Sequence, residues 1–388
     1  MYNAAGMQKG DSPPSVLVVG GGVMGAASAY WLSRLGRQVT VFDRFNAPNS
    51  FGASGDHVRV FRLTYGKDSF YTDMAAKSLP LWLALNADSG QTLLMQNGVL
   101  ELATQLKGYE EQSFSVLKEM KLPVEKLEKA EIRRHYPMIN TRAIKFALFH
   151  KDGGMIWASK TVEALLHLAQ KKGVKMRPKT EIVKILRGKS GIEGLKDAAG
   201  HVHKADEYLF CPGAWTDELL KGYRLPLKVT RQQQLYLRPP SNRGRYRPEH
   251  FPVFAALSTG FYGFPLHIHG FLKIGDHKKG PPGRPTPGAD AEATPQFVAK
   301  CRAFLKRHIP DLAGFTDMES KTCYYTSTPN DDFILDRLPD APNGFVAAGF
   351  SGHGFKFAPL IGKTVAELIV GGKTELNIHR FRIARFRR

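Results

Sequence analysis

Cysteine is scarce: Cys211, Cys301 and Cys323 are the only three in 388 residues. They are too few and too scattered for a disulfide framework or a zinc site, so any special cysteine acts alone. No apolar run approaches the roughly 20 residues needed to cross a bilayer. Residues 1–14, MYNAAGMQKGDSPP, lack the apolar core of a secretory signal and read as a loose leader. No membrane span is expected, and a cytoplasmic location follows by default. Acidic residues are also in short supply, 35 against 55 lysines and arginines, for a formal net charge of +20. Such a charge can attract nucleic acid, draw acidic small molecules towards a cleft, or keep the protein in solution. Solubility is the simplest reading, because the basic residues are dispersed and no nucleic-acid module is recognisable. A hydrophobic content of 43% with 23% charged residues argues against disorder, and the length suggests two or three domain-sized units.

What is present begins at residues 16–43, VLVVGGGVMGAASAYWLSRLGRQVTVFD. The apolar run 16–19 predicts a strand, Gly20, Gly22 and Gly25 follow at GxGxxG spacing, and 26–35 has helical composition ending at Gly36. A second strand, 38–42, terminates in Asp43. GxGxxG alone is weak, but with flanking strand, helix and terminal acid it is a dinucleotide-binding fingerprint. Gly20 permits the tight turn, Gly22 lets a pyrophosphate approach the backbone, Gly25 lets helix and strand pack closely, and Asp43 stands where a ribose hydroxyl is gripped. Arg44 and Ser54, in the Gly/Ser/Asn/Pro-rich loop 44–57, join the candidate cofactor-binding set. So do Gly213 and Trp215, in ADEYLFCPGAWT (205–216), a strand and turn that should return the chain to the first sheet.

Between these pieces, residues 70–85 predict a helix that Pro80 kinks or splits in two. Residues 93–102 read as a strand and 109–135 as charged amphipathic helix with a break near Pro123. Val162, Leu165, Leu166 and Leu168 make an apolar stripe for a helix at 160–172, followed by short strands at 174–177 and 181–186. Residues 225–237, 251–257 and 260–274 alternate or run apolar with aromatics, which predicts long antiparallel strands in a separate sheet. A Gly/Pro-rich loop (278–294), an amphipathic helix (295–308), a buried strand (345–348) and a last helix (360–370) complete the chain, with no internal repeat. The fold class is α/β and α+β. A discontinuous Rossmann-like dinucleotide-binding domain is expected at 1–88, 155–226 and 330–388, with an antiparallel-sheet substrate domain at 89–154 and 227–329.

The fingerprint, GASGDHVRVFR (52–62), FYGFPLHIHGFLKIGDH (261–277), and KTCYYT with GFSGHGFKFAP (321–326 and 349–359) span nearly the whole chain. Together they resemble the flavoenzyme family of monomeric sarcosine oxidase, N-methyltryptophan oxidase and pipecolate oxidase, within the D-amino-acid-oxidase-like superfamily. The resemblance implies FAD rather than nicotinamide, and amine oxidation with dioxygen as acceptor. It implies that Cys323 bonds covalently to the flavin 8α-methyl group. A thiolate can attack that carbon if nearby cations favour ionisation, and Lys321 is two residues away. Cys211 and Cys301 read as core residues.

The resemblance also assigns candidate catalytic and substrate-binding residues. Lys273 is similar to the family's lysine on the flavin face where oxygen reacts, a fixed positive charge that stabilises developing superoxide. Arg62 and Lys356 match the cations that hold the substrate carboxylate, one a planar fork and the other a point charge. Lys356 also counts with the cofactor-binding residues. Tyr262 and Tyr325 resemble active-site tyrosines, and Arg59 a flavin-adjacent arginine, although one extra residue precedes it here. Gly352 and Gly354 permit close backbone approach, and the helix after them would point its positive end at the flavin pyrimidine. Strand alternation puts His267 and His269 on the face of Lys273, lining the substrate pocket, where they replace the small residues expected for sarcosine.

The expected protein is therefore a monomeric FAD oxidase of a secondary-amine amino acid, N-methyl or cyclic. Hydride passes to the flavin, O2 is reduced to H2O2, and no metal is needed. One alternative is the same chemistry on a larger amine, such as a modified nucleoside in RNA, motivated by the charge. Others are a dinucleotide-binding protein without turnover and a flavin dehydrogenase passing electrons to a carrier.

Overall fold

The strand β1 (Ser15–Val19), the helix α1 (Val23–Arg34) and the strand β2 (Gln38–Phe42) form one parallel strand–helix–strand unit within a six-stranded sheet. The computed structural model describes residues 13–286 and 292–386. Most of the expected leader and part of the loop 278–294 lie outside the described residues. The sheet order is Ile334–Leu338, Ala341–Ala348, Glu207–Phe210, β1, β2, Lys175–Arg177, and only the Ile334–Leu338 edge runs antiparallel. In register, Val19 lies beside both Phe210 and Phe42, and Phe210 beside Val346. The stretch 205–216 thus returns to the first sheet as predicted.

Both faces of this sheet are covered, which is why its central strands, β1 and Glu207–Phe210, are mostly apolar and buried. On one face α1, Ala158–Gln170 and Ala358–Gly371 bury a continuous core that includes Val16, Val18, Leu32, Leu165 and Ile361. On the other, Leu17, Val19 and Phe210 pack against a small sheet of Ile182–Gly188, Gly191–Asp197 and Val202–His203.

The second large sheet has eight strands in the order Met318–Ser327, Lys228–Leu237, Leu272–Asp276, Phe261–Phe264, Val253–Ala256, Val99–Ala103, Phe146–His150, Glu125–Leu127. Pairing is antiparallel except between Val253–Ala256 and Val99–Ala103, which run parallel. The amphipathic helix Pro295–His308 covers one face with Phe297, Cys301, Phe304 and Leu305.

Four local expectations are corrected. Pro80 neither splits nor ends its helix, which runs unbroken over Ser69–Ser89. Ser78 Oγ and Trp82 Nε1, one on each side of the proline, both donate to Lys356 O at 2.9 and 2.7 Å, so tertiary anchors hold the two turns in line. Residues 93–102 form two strands, Leu94–Met95 and Val99–Ala103, which belong to different sheets. The material at 109–135 is helix, strand and helix (Tyr109–Glu119, Glu125–Leu127, Lys129–His135). The run 260–274 contains two strands and a turn, because Pro265 and Gly270 interrupt what composition makes look continuous.

Candidate active site

A long cleft runs from the α1 N-terminus to the start of the helix Ala358–Gly371, with the eight-stranded sheet as its second wall. At one end it is lined by Gly20, Gly22, Asp43, Arg44, Ser54, Gly213 and Trp215. Gly20 has φ +102°, and a Cβ there would collide with Cys211 O, while one on Gly25 would strike Gly20 O. Gly22, the N-cap of α1, has no side chain to bond the first turn, and the helix start opens on the cleft. Asp43 Oδ2 accepts from Gly21 N–H at 2.6 Å and Oδ1 from Phe45 N–H at 2.8 Å, and burial raises its pKa despite those bonds. Ser54 Oγ accepts from Val23 N–H at 3.0 Å, and the Arg44 guanidinium lies 5.7 Å from the Trp215 ring centroid.

In the middle, Arg59, Gln234, Tyr262 and Cys323 line the cleft. Cys323 is buried on the strand Met318–Ser327, and its Sγ accepts from Gln234 Nε2 at 3.1 Å. Burial pushes the thiol pKa up, opposed by Arg59 and Lys273. Lys321, expected to be the activating cation, instead has its Nζ 3.1 Å from His57 Nε2.

At the far end stand Arg62, His277, Tyr325, Gly352, Gly354 and Lys356. Arg62 donates to Tyr109 Oη at 2.6 Å and lies 4.5 Å over the Tyr65 ring. Lys356 Nζ donates to Tyr65 Oη at 2.9 Å and His353 O at 2.8 Å. Burial, with Arg62 as neighbour, pushes the Lys356 pKa well below the usual lysine range. Gly352, at φ +78°, leaves room for the Tyr325 ring that a Cβ would strike. Among the described residues neither Arg62 nor Lys356 makes an ion pair, although both are buried.

Lys273 is fully buried and does not line the cleft. Its Nζ donates to Asp56 Oδ2 at 2.5 Å and to Val58 O at 3.1 Å. Burial lowers its pKa to about 8, with Asp56 resisting the fall and Arg59 adding to it. Asp56 also accepts from Arg59, from the Tyr236 hydroxyl and, at 2.7 Å, from His57 N–H. Although burial opposes it, the charges of Lys273 and Arg59 hold the Asp56 carboxyl well below the usual range.

His267 and His269 are not on the strand of Lys273, which spans Leu272–Asp276; they lie in the turn before it and do not line the cleft. They pack against His57 instead, with ring centroids 5.1 and 5.2 Å away. The turn breaks the alternation that would have carried them to the face of Lys273.

Four functional candidates escape a reading by sequence: Asp56, Gln234, Tyr236 and His277. Asp56 is the sole carboxylate in residues 44–67, which marks it. His277 continues the Lys273–Gly275 alternation and places Nδ1 3.5 Å from Tyr325 Oη. Burial, with Arg62 and Lys356 nearby, lowers its pKa to about 4. Nothing local distinguishes Gln234 or Tyr236.

The basic segments are largely tied down. Arg380 bridges Asp68 and Asp332 at 2.9 and 2.8 Å, Arg382 meets Asp336 at 2.6 Å, Arg245 meets Asp311 at 2.9 Å, and Lys279 meets Asp331 at 2.6 Å. Among the described residues, no helix is long and apolar enough to cross a membrane.

Comparison with known proteins agrees with this geometry. Residues 15–368 match the family model described as FAD dependent oxidoreductase. The chain is 30% identical over 376 residues to monomeric sarcosine oxidase of Arthrobacter sp. (strain TE1826), covering 95% of this chain and 96% of that one. It is 27% identical over 379 residues to N-methyl-L-tryptophan oxidase of Salmonella agona (strain SL483), covering 96% and 98%. The fold is that of L-proline dehydrogenase from P. horikoshii, with a TM-score of 0.85 at 23% identity over 97% of this chain and 98% of that one. With a glycine turn no side chain can fill, a helix start that opens on the cleft and a continuous cleft that fit FAD, the chain belongs to the FAD-dependent oxidoreductases, among relatives that include the sarcosine oxidases.

Proposed function

We propose that this chain oxidises the carbon next to nitrogen in a secondary-amine amino acid, N-methyl or cyclic, and passes the electrons to dioxygen as hydrogen peroxide. The observation that carries this reading is the pair Arg62 and Lys356, two buried basic side chains without an ion-pair partner among the described residues. Arg62 keeps its charge with the buried Glu101 carboxylate in its field, while burial and Arg62 disfavour the charged form of Lys356; a substrate carboxylate would give both groups a direct partner. Both sarcosine and N-methyltryptophan, named for the relatives, are secondary-amine amino acids.

FAD, when bound, supplies the hydride acceptor. The diphosphate would lie along Gly20, Gly22 and the α1 start, with the ribose at Asp43 and the ring system near Arg59 and Cys323, to which we assign the covalent link. Arg62 and Lys356 would orient the carboxylate, so that the carbon beside nitrogen points inward. Tyr262, Tyr325, Val253, Ala255 and Phe264 give this end an aromatic and apolar wall that limits water. His277 stands beside Tyr325 Oη, and burial near Arg62 and Lys356 favours its neutral ring, which can hold a hydrogen bond there without adding a further positive charge. We read the two sheets as the two domains, flavin-binding and substrate-binding, with the boundaries expected above.

One observation favours a second reading. Lys273 does not line the cleft and Asp56 balances its charge, an arrangement compatible with an enzyme that hands electrons to a carrier. Anaerobic mixing with N-methyl and cyclic amino acids should bleach the flavin absorbance, and admitting air should restore it with one peroxide per flavin. Bleaching without recovery in air would select the carrier, and no bleaching by any secondary amino acid would overturn the substrate class.

A further inference from the structure

The strand Lys228–Leu237 runs antiparallel beside the strand that carries Cys323, and the two glutamines nearest the sulfur are used differently. Gln232 is directly opposite Cys323 in register, yet both ends of its carboxamide are committed elsewhere: Nε2 donates to Thr230 Oγ1 at 3.0 Å and Oε1 accepts from Gly280 N–H at 3.2 Å. Gln234, two residues on, lines the cleft and sends its Nε2 to Cys323 Sγ at 3.1 Å. It is 3% exposed and Cys323 is 5% exposed, so both are largely shielded from bulk solvent.

We propose that Gln234 is the positioning residue for flavin attachment, its carboxamide N–H fixing the Cys323 sulfur in the cleft and stabilising it as thiolate. This rests on the reading of Cys323 as the attachment point. The chemistry needs the anion: the S–C8α bond forms as a C8α–H bond is lost, the proton leaves to solvent, and the electron pair enters the flavin ring. O2 then removes that pair as hydrogen peroxide, one per link made. Burial works against ionisation of the thiol, and the cations that favour it, Arg59 and Lys273, are both shared with Asp56. A neutral donor directed at sulfur favours the thiolate without bringing a further counter-charge into the cleft. Tyr262 and Tyr325 complete the titratable groups around the sulfur.

The test uses the full chain produced under riboflavin limitation and then mixed with FAD in air, comparing wild type with Gln234→Leu and the nearly isosteric Gln234→Glu. Link formation is read as flavin absorbance retained in the acid-precipitated pellet over time. In parallel, the pH dependence of iodoacetamide capture before FAD addition is read at the Cys323 peptide by mass spectrometry, which separates it from Cys211 and Cys301. Both variants should bind FAD reversibly, as seen in the visible spectrum, but attach it roughly tenfold or more slowly, with the capture profile displaced to higher pH by about one unit. Wild-type rates of attachment in either variant that binds FAD, or an unmoved capture profile, overturn the role of Gln234. Colour released to the acid supernatant by the wild type overturns attachment at Cys323 itself, and this proposal with it.

Discussion

Replacing Asp56 by Asn tests the buried ionic cluster with little change of shape. The side chain keeps an oxygen for the Tyr236 hydroxyl, but Lys273, whose side chain is fully buried, loses its counter-charge. Breaking a buried pair on one side costs about 3–5 kcal/mol, and because Arg59 also loses a partner, the upper half of that range is expected. The loss depends on pH in a defined direction. In the wild type Lys273 has its pKa lowered to about 8, below the unfolded value of about 10.4. The folded chain therefore holds fewer protons than the unfolded chain between those values, and stability rises with pH there. Without Asp56 the folded pKa falls further, so the rise begins lower. The deficit of D56N should be largest in mildly acidic buffer and shrink as pH climbs towards 8, after which both proteins gain alike. Thermal melts of both proteins from pH 5.5 to 9, followed by far-ultraviolet circular dichroism, measure this. A variant as stable as wild type at pH 6, or a deficit that grows with pH, would refute the ionic account of the cluster.

Lys356 predicts proton uptake on binding. Its depressed pKa must rise when a carboxylate arrives, so calorimetric titration of a non-oxidised carboxylate ligand in buffers of different ionisation enthalpy should show protons taken up and affinity falling as pH rises; Lys356→Met should abolish the uptake and weaken binding by roughly 10- to 100-fold. Gly20→Ala should yield a colourless, less stable protein, because its Cβ would meet Cys211 O at a left-handed φ. His267→Ala and His269→Ala should leave the affinity for substrate within about twofold, since neither side chain reaches the cleft, and a KM change of tenfold would restore them to the pocket.

The turn at Gly20–Gly25 was legible because it is local: strand, turn, helix and acid follow one another within 30 residues, and each obeys a short-range rule. The helix Pro295–His308 was legible for the same reason, its amphipathic stripe being contained within it. Asp56 was not, because its role lies in partners 180 and 217 residues away, Tyr236 and Lys273, which no periodicity brings together. His267 and His269 show the converse error. Alternation was extended through Pro265 and Gly270, where the backbone turns and the period is lost. Gln234 matters through a cross-strand diagonal to Cys323, and that relation exists only once the register of the two strands is set. Pro80 predicts a kink or a split when only the backbone is counted, whereas buried donors to Lys356 O keep that helix in one piece.

The order of the first sheet has a consequence for biosynthesis. The strand β1 is flanked by β2, its immediate successor, and by Glu207–Phe210, which in turn waits for Ala341–Ala348, more than 300 residues behind β1. The glycine turn leaves the ribosome early, but Gly352 and Lys356, at the far end of the cleft, emerge long after it. Chain closure over such separations is slow. The nascent chain therefore carries an apolar, unpaired strand edge until Ala341–Ala348 has emerged, and the whole cleft can form only after that. Slower translation at low temperature and ample riboflavin should accordingly raise the yield of coloured protein more than that of total polypeptide.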